Sequence, residues 1–233
     1  MKKPDILLPL MREGVDNSLV LWIRGQGSRA ISNKVLDLSN RGNHGTITGA
    51  TWSNTPLNHP TLSFDEVDDY VDAGNDSSLQ ITGTNPFTFE LWFKANSLSG
   101  GATLLAKDDG GGSVNKWWLH YRDATYGIAL HIQSPALETF YFNSNYVPSA
   151  GVWYHVILTR TGNDWVFYIN GESVKTLSSS QVMRDASANF KIGVFQGGNY
   201  WNGLIDEVRV YNRALSASEI SNRYNITKQN YGR

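Results

Sequence analysis

Apolar and polar residues alternate with a period of two in run after run of this chain. In the first half the runs are LVLWI (19–23), YVDAG (70–74), FTFELWFKA (87–95) and ATLLAK (102–107). In the second they are WWLHYR (117–122), GIALHIQ (127–133), TFYF (139–142), WYHVILTR (153–160), DWVFYING (164–171), FKIGVF (190–195) and LIDEVRVY (204–211). Successive side chains on a strand point to opposite faces, so each run predicts a strand with one buried face. Many short strands with turn signals between them, and almost no helix-period segments, predict an all-β fold, an antiparallel two-sheet β-sandwich. Asn170-Gly171, between two alternating runs, suits the positive φ angles of a type I′ hairpin. Ser216 and Glu219 in ALSASEI form a capping box with Leu215 and Ile220 at the staple positions, so a short C-terminal helix should start near Ala217.

Composition narrows this picture without changing it. The 233 residues include 22 Gly and 8 Trp, and 12% are aromatic, the supply that short twisted strands and tight turns require. A formal net charge of -1 argues against nucleic acid and against an anionic membrane as partners. With no cysteine, disulfides and thiolate metal sites are excluded. The apolar run in MKKPDILLPLMREGVDN is broken by Pro9 and followed by Arg12 and Glu13, unlike a secretory signal. No apolar stretch is long enough to span a bilayer, so a soluble protein is expected. The organisation expected is an N-terminal arm at 1–17, one sandwich domain over 18–225 and a tail at 226–233. The arm's Ile6, Leu7, Leu8 and Leu10 lack the periodicity of a core element and suit docking onto a neighbouring subunit.

Within 204–211 strict alternation puts Leu204, Asp206, Val208 and Val210 on one face and Ile205, Glu207, Arg209 and Tyr211 on the other. On that reading Asp206 and Glu207 cannot flank one bond as a glycosidase pair must. Glu207 pairs with Arg209 at the solvated surface, whereas Asp206, among apolar neighbours, needs a cation or several donors. The chain has no Gly-x-Ser-x-Gly elbow, no phosphate-cradling loop and no histidines at metal-ligand spacing, so catalysis is not expected.

Five segments in order carry a resemblance: LDLSNRGNHGTI (36–47), LSFDEVDDYVDAG (62–74), FTFELWFKA (87–95), WYHVILTRTGNDWVFYINGESV (153–174) and WNGLIDEVRVYNRALSASEI (201–220). Together they resemble the laminin-G-like jelly rolls, in the third such family, of the concanavalin A-like lectin/glucanase superfamily, over residues 19–224. The resemblance implies a convex and a concave sheet, with ligands on the concave face or its rim loops. It also implies one structural calcium ion near the terminal strands, for which Asp37, Asn43 and Asp206 stand in the ligand positions. Family members usually follow the first strand with an acidic residue, and this chain has Arg24 there. Its guanidinium is an alternative partner for Asp206, while the DLSNRGN loop stays open to a hard cation. The glycosidases of the superfamily carry an acidic residue two positions before the equivalent of Asp206, where this chain has Leu204.

The expected function is a non-catalytic recognition module whose ligand is a glycan or polysaccharide. Sugars are held by flat aromatic faces with planar hydrogen-bonding groups. Alternation gathers Trp118, His120, Arg122, His131 and Tyr141 on one face, with Ile128, Leu130 and Ile132 in the core. Tyr200 and Trp201, after two glycines in FQGGNYWNG, form a second candidate patch. The alternative of another class is a virion or appendage accessory protein, such as a phage decoration or tail component. Its sandwich and arm would contact other subunits of a virion or cell-surface assembly.

Overall fold

The computed structural model describes residues 16–25, 33–108, 115–134, 139–184, 186–195 and 198–233. In chain order its strands are β1 (Leu19–Ile23), β2 (Lys34–Val35), β3 (Gly45–Thr48), β4 (Thr51–Asn54), β5 (Pro60–Asp65), β6 (Tyr70–Asp72), β7 (Phe87–Ala95) and β8 (Thr103–Lys107). There follow β9 (Lys116–Asp123), β10 (Gly127–Gln133), β11 (Thr139–Asn143), β12 (Trp153–Thr161), β13 (Asp164–Ile169), β14 (Glu172–Ser178), β15 (Phe190–Ile192) and β16 (Asn202–Tyr211). Every predicted run contains a strand, although FKIGVF is one only over Phe190–Ile192. The short strands β2 to β5 were not marked by alternation, because two to six residues rich in Thr, Ser and Asn carry little period-two signal.

The strands form two antiparallel sheets. The first has the order β14-β13-β12-β7-β16-β5-β4, with β1 also paired to β16; the second has the order β11-β10-β9-β8-β15-β6-β3-β2. Between them lies one apolar core in which Phe89 stacks on Trp117 with ring centroids 4.8 Å apart. The β13–β14 hairpin turns at Asn170 (φ 53°) and Gly171 (φ 83°), the conformation expected of an Asn-Gly turn. The capping box is also formed: the Ser216 Oγ accepts from Glu219 N and the Glu219 carboxylate accepts from Ser216 N.

Helix α1 (Ala217–Thr227) and the 3-10 turn Lys228–Tyr231 cover the outer face of the first sheet. Tyr231 stacks on Trp92 at 4.1 Å beside Trp153 and Leu204, while Ile220 and Leu215 pack on Ile157 and Tyr211. Residues 226–233 are therefore a packed part of the fold and not the tail expected from the sequence. The expected arm lies outside the described residues except for Asp16 and Asn17. Arg213 donates to the Asp16 carboxylate at 3.1 Å and Arg41 donates to the Asn17 carbonyl at 2.6 Å.

The alternation expected along β16 breaks in the middle. Asp206 pairs with Trp92 of β7 and Arg209 with Glu90, so β16 spends one residue more than its partner between these points. This is a β-bulge, and Glu207 takes φ 53° at it. The extra residue exchanges the faces beyond it: Ile205, Val208 and Val210 enter the core, while Leu204, Arg209 and Tyr211 join the layer beneath α1. Asp206 and Glu207 consequently reach one side, with acceptor atoms within 4.8 Å of each other and of a His59 ring nitrogen. The predicted opposition of the two carboxylates is corrected by this one inserted residue.

Candidate functional site

The outer face of the second sheet assembles five of the sequence-predicted ligand residues. In the register, His131 of β10 lies between Trp118 of β9 and Tyr141 of β11, with His120 one pair further along β9. The ring centroids of Trp118 and His131 are 3.6 Å apart, those of His131 and Tyr141 are 3.9 Å apart, and His120 lies 6.5 Å from His131. The Arg122 guanidinium is layered between Tyr141 and Tyr126, at 4.1 and 4.2 Å from their centroids, and donates to the Asn143 side chain at 3.0 Å. Arg122 and the two tyrosines form the accessible surface, Tyr141 being 40% exposed; Trp118, His120 and His131, at 8, 5 and 6%, lie beneath it.

The two imidazoles are held neutral. Burial, with Arg122 nearby, lowers the His120 pKa to about 4; burial, with His120, Arg122 and Lys116, lowers that of His131 to about 3. Both ring nitrogens of His120 and the Nε2 of His131 are buried without a hydrogen-bond partner among the described residues. Buried polar atoms are normally satisfied, so this face holds unused hydrogen-bonding capacity beneath an aromatic and cationic surface.

Three contributors escaped the sequence reading. Phe195 covers Trp118 from the other side at 4.0 Å, and Lys116 lies 5.5 Å from the Phe195 ring and 3.6 Å from the Asp108 carboxylate. Tyr126 sits in the β9–β10 turn, where no alternation marks it. The outward parity of Lys116 was readable from Trp118, two residues on, whereas Phe195 comes from a loop that only the fold brings across. Tyr200 is half-buried in that loop. Trp201 is corrected: it is fully buried in the inter-sheet core against Phe93 at 5.4 Å, and its ring presents no face to a ligand.

The three residues that the resemblance puts in calcium-ligand positions all make hydrogen bonds within the protein. Asp37 accepts four hydrogen bonds, from Trp22 N, Ser39 N, Ser39 Oγ and Asn43 N. Those donors occupy its acceptor directions. Asn43 turns its Nδ2 to the Val20 carbonyl and to Ser78 Oγ. Asp206 fills the handover on β16, where β5 pairing ends at Ile205 and β1 pairing begins at Val208. It accepts from Gly25 N at 2.6 Å, from Tyr231 Oη at 2.7 Å and binds the His59 Nε2 at 2.6 Å. Gly25 is required there, since a Cβ would lie 1.7 Å from the Pro60 carbonyl oxygen.

Asp206 thus has several donors, as the sequence required, from Gly25, Tyr231 and His59. The Arg24 guanidinium instead lies 3.8 Å from Glu207. Glu207 is also corrected from a solvated pair to a buried one: it binds the buried Arg209 and accepts from the Trp22 indole at 2.8 Å. Asp206→Ala is expected to destabilise the protein by about 3 kcal/mol, because two donors and an imidazole lose a shared buried partner. A urea midpoint within error of wild type would overturn this account of Asp206.

A family model for laminin-G-like domains, described as the concanavalin A-like lectin/glucanases superfamily, matches residues 65–221. The chain belongs to this superfamily. Its laminin-G-like fold is shared by domain 4 of AbnA, an extracellular arabinanase from Geobacillus stearothermophilus, in complex with arabinotriose (19% identity, TM-score 0.72, 88% of this chain and 97% of that one). It is shared also by the binding domain of Paraclostridial Mosquitocidal Protein 1 (16% identity, TM-score 0.71, 91% of this chain and 52% of that one). The botulinum neurotoxin serotype G binding domain matches at 14% identity and TM-score 0.65, over 90% of this chain and 51% of that one. The chain spans about half the length of these two toxin domains. None of its helices among the described residues is long and apolar enough to cross a membrane.

Proposed function

We propose that this laminin-G-like domain is a non-catalytic glycan-binding module and that it binds through the outer face of its second sheet. The observation that carries the reading is the exposed Tyr126–Arg122–Tyr141 layer lying over the buried His120 and His131 rings. A sugar ring can stack on Tyr141 while its hydroxyls use the Arg122 fork and the Asn143 amide. The fold's use in an arabinanase domain crystallised with arabinotriose supports a saccharide as ligand. A binding role is supported further by the acids Glu90, Asp206 and Glu207, which are buried in hydrogen bonds and ion pairs under the C-terminal helix instead of flanking an open cleft. The alternative of assembly through an arm rests on residues 1–15, outside the described residues.

Affinity electrophoresis through gels containing arabinan, xylan, galactan or soluble glucan tests the reading. Retardation by at least one polymer is expected, and Tyr141→Ala should weaken it about three- to tenfold, the worth of one stacked ring, at an unchanged melting temperature. No retardation by any polymer, or a Tyr141→Ala protein that migrates like wild type, would overturn it.

A further inference from the structure

One register row crosses the whole second sheet on its outer face: Tyr141, His131, Trp118, Ala106, Lys191, Asp72, Thr46 and Lys34. Its seven inter-strand steps, at roughly 4.8 Å each, extend about 34 Å. Phe195 packs over Ala106 and Trp118 midway, so the face is divided into two open ends. One end holds the Tyr141 platform. At the other a cleft of about 530 Å³ opens beside β3 and β6, lined by residues that include Arg41, His44, Thr46, Tyr70, Asp72 and Asn189.

The polar groups of this cleft are oriented, and they offer donors and acceptors together. The His44 Nδ1 accepts from Asp37 N at 3.0 Å, which leaves Nε2 as the ring's N–H donor. Asn189 donates its Nδ2 to Asp72 at 3.0 Å, leaving its amide oxygen as an acceptor, and Asp72 is fixed further by accepting from Gly74 N at 2.8 Å. Lys191 lies 5.2 Å from the centroid of the Tyr70 ring, a wall against which a ligand ring can pack. The lining carries Arg41 against Asp72 and Asp76 and so has no cationic excess, with Lys191 outside it against the Tyr70 ring. A volume of this size with mixed, pre-oriented hydrogen-bonding groups, an aromatic wall and no cationic excess to attract an acidic sugar suits a neutral, polyhydroxylated ring.

We infer that the cleft is a second saccharide subsite, specific for neutral sugars, and that with the Tyr141 end it lets one polysaccharide chain bind the face at two points. The inference rests on the glycan-binding reading and adds a site to it. Two linked weak subsites give a polymer higher avidity than either alone.

The same four polysaccharide gels test it with Tyr70→Ala/Asn189→Ala, with Tyr141→Ala and with all three changes together, each checked for an unchanged melting temperature. Thr46→Arg, at an exposed position, blocks the cleft by bulk should the double variant fail to fold. The expected result is that loss of either end alone weakens retardation about three- to tenfold, the triple variant migrates freely, and wild-type retardation is the same at low and high salt. If both cleft variants are retarded like wild type while Tyr141→Ala is weakened, the second subsite is overturned and the binding reading stands. Retardation that vanishes at high salt overturns the neutral-sugar assignment. A wild-type protein retarded by no polymer overturns the reading and the inference together.

Discussion

Glu90→Ala is expected to be the most destabilising single change in the layer beneath the helix, costing about 3–5 kcal/mol and lowering the melting temperature by roughly 10 °C. Glu90 is fully buried. One oxygen accepts from Arg209 at 3.1 Å and binds His155 at 3.1 Å, and the other lies 3.6 Å from Arg223. Burial pushes the carboxyl upward, but the Arg209 and Arg223 charges and the His155 hydrogen bond outweigh it and hold the pKa at about 2. Removing the carboxylate leaves the buried Arg209 with Glu207 and takes the Glu90 ion pair from Arg223, at a depth where unpaired charge is costly. Since the folded pKa is below the ordinary 4.5, the stabilisation is present above pH 4.5 and lost as pH falls toward 2. The acid limb of the stability curve below pH 4.5 should therefore be shallower in the variant. Urea midpoints across that range measure both effects, and a loss under about 1 kcal/mol at pH 7, the range of exposed pairs, would contradict the buried network.

Acidification from pH 6.5 to about 4 is expected to destabilise the protein by on the order of 3 kcal/mol, and His120→Gln/His131→Gln should remove most of that loss. Both imidazoles titrate below the ordinary 6.5, at about 4 and about 3. In this interval the unfolded chain takes up protons that the folded chain refuses, so stability is full above pH 6.5 and falls with pH. A tenfold change in proton affinity corresponds to about 1.4 kcal/mol, discounted here because the two rings influence each other and are partly screened. Lys116 and Arg122 face the pair and oppose protonation, while Asp123 favours it at His120. The difference between the wild-type and double-variant profiles isolates the histidines from other titrating groups. Parallel profiles would mean that the rings are hydrated in the folded protein.

Much of the outer face of the second sheet was legible because it depends on parity alone. In β9 and β10 the pattern runs unbroken, so alternation assigns both the outward set Trp118, His120, Arg122 and His131 and the inward set Trp117, Leu119, Ile128 and Leu130. The same rule failed in β16, where one residue beyond Asp206 is inserted against β7. A bulge needs only a locally tolerated positive φ, and Glu207 has no glycine or asparagine to announce it. Trp201 failed for another reason. Two preceding glycines suggest an exposed tip, but the loop folds inward and the ring enters the core beside Phe93.

The sequence by itself determined the sandwich, the hairpin at Asn170-Gly171, the capped C-terminal helix and the superfamily, because period-two alternation, turn chemistry and capping act between residues close in the chain. Only the tertiary structure decided what Asp206 binds, since Gly25, His59 and Tyr231 are 181, 147 and 25 residues away from it. It decided as well that Phe195 divides the open face and that His44, Tyr70 and Asn189 meet at one cleft. Hydrogen bonds and ring contacts act over a few ångströms, and which distant residues come within that reach is set by how strands from both ends of the chain pair in the two sheets.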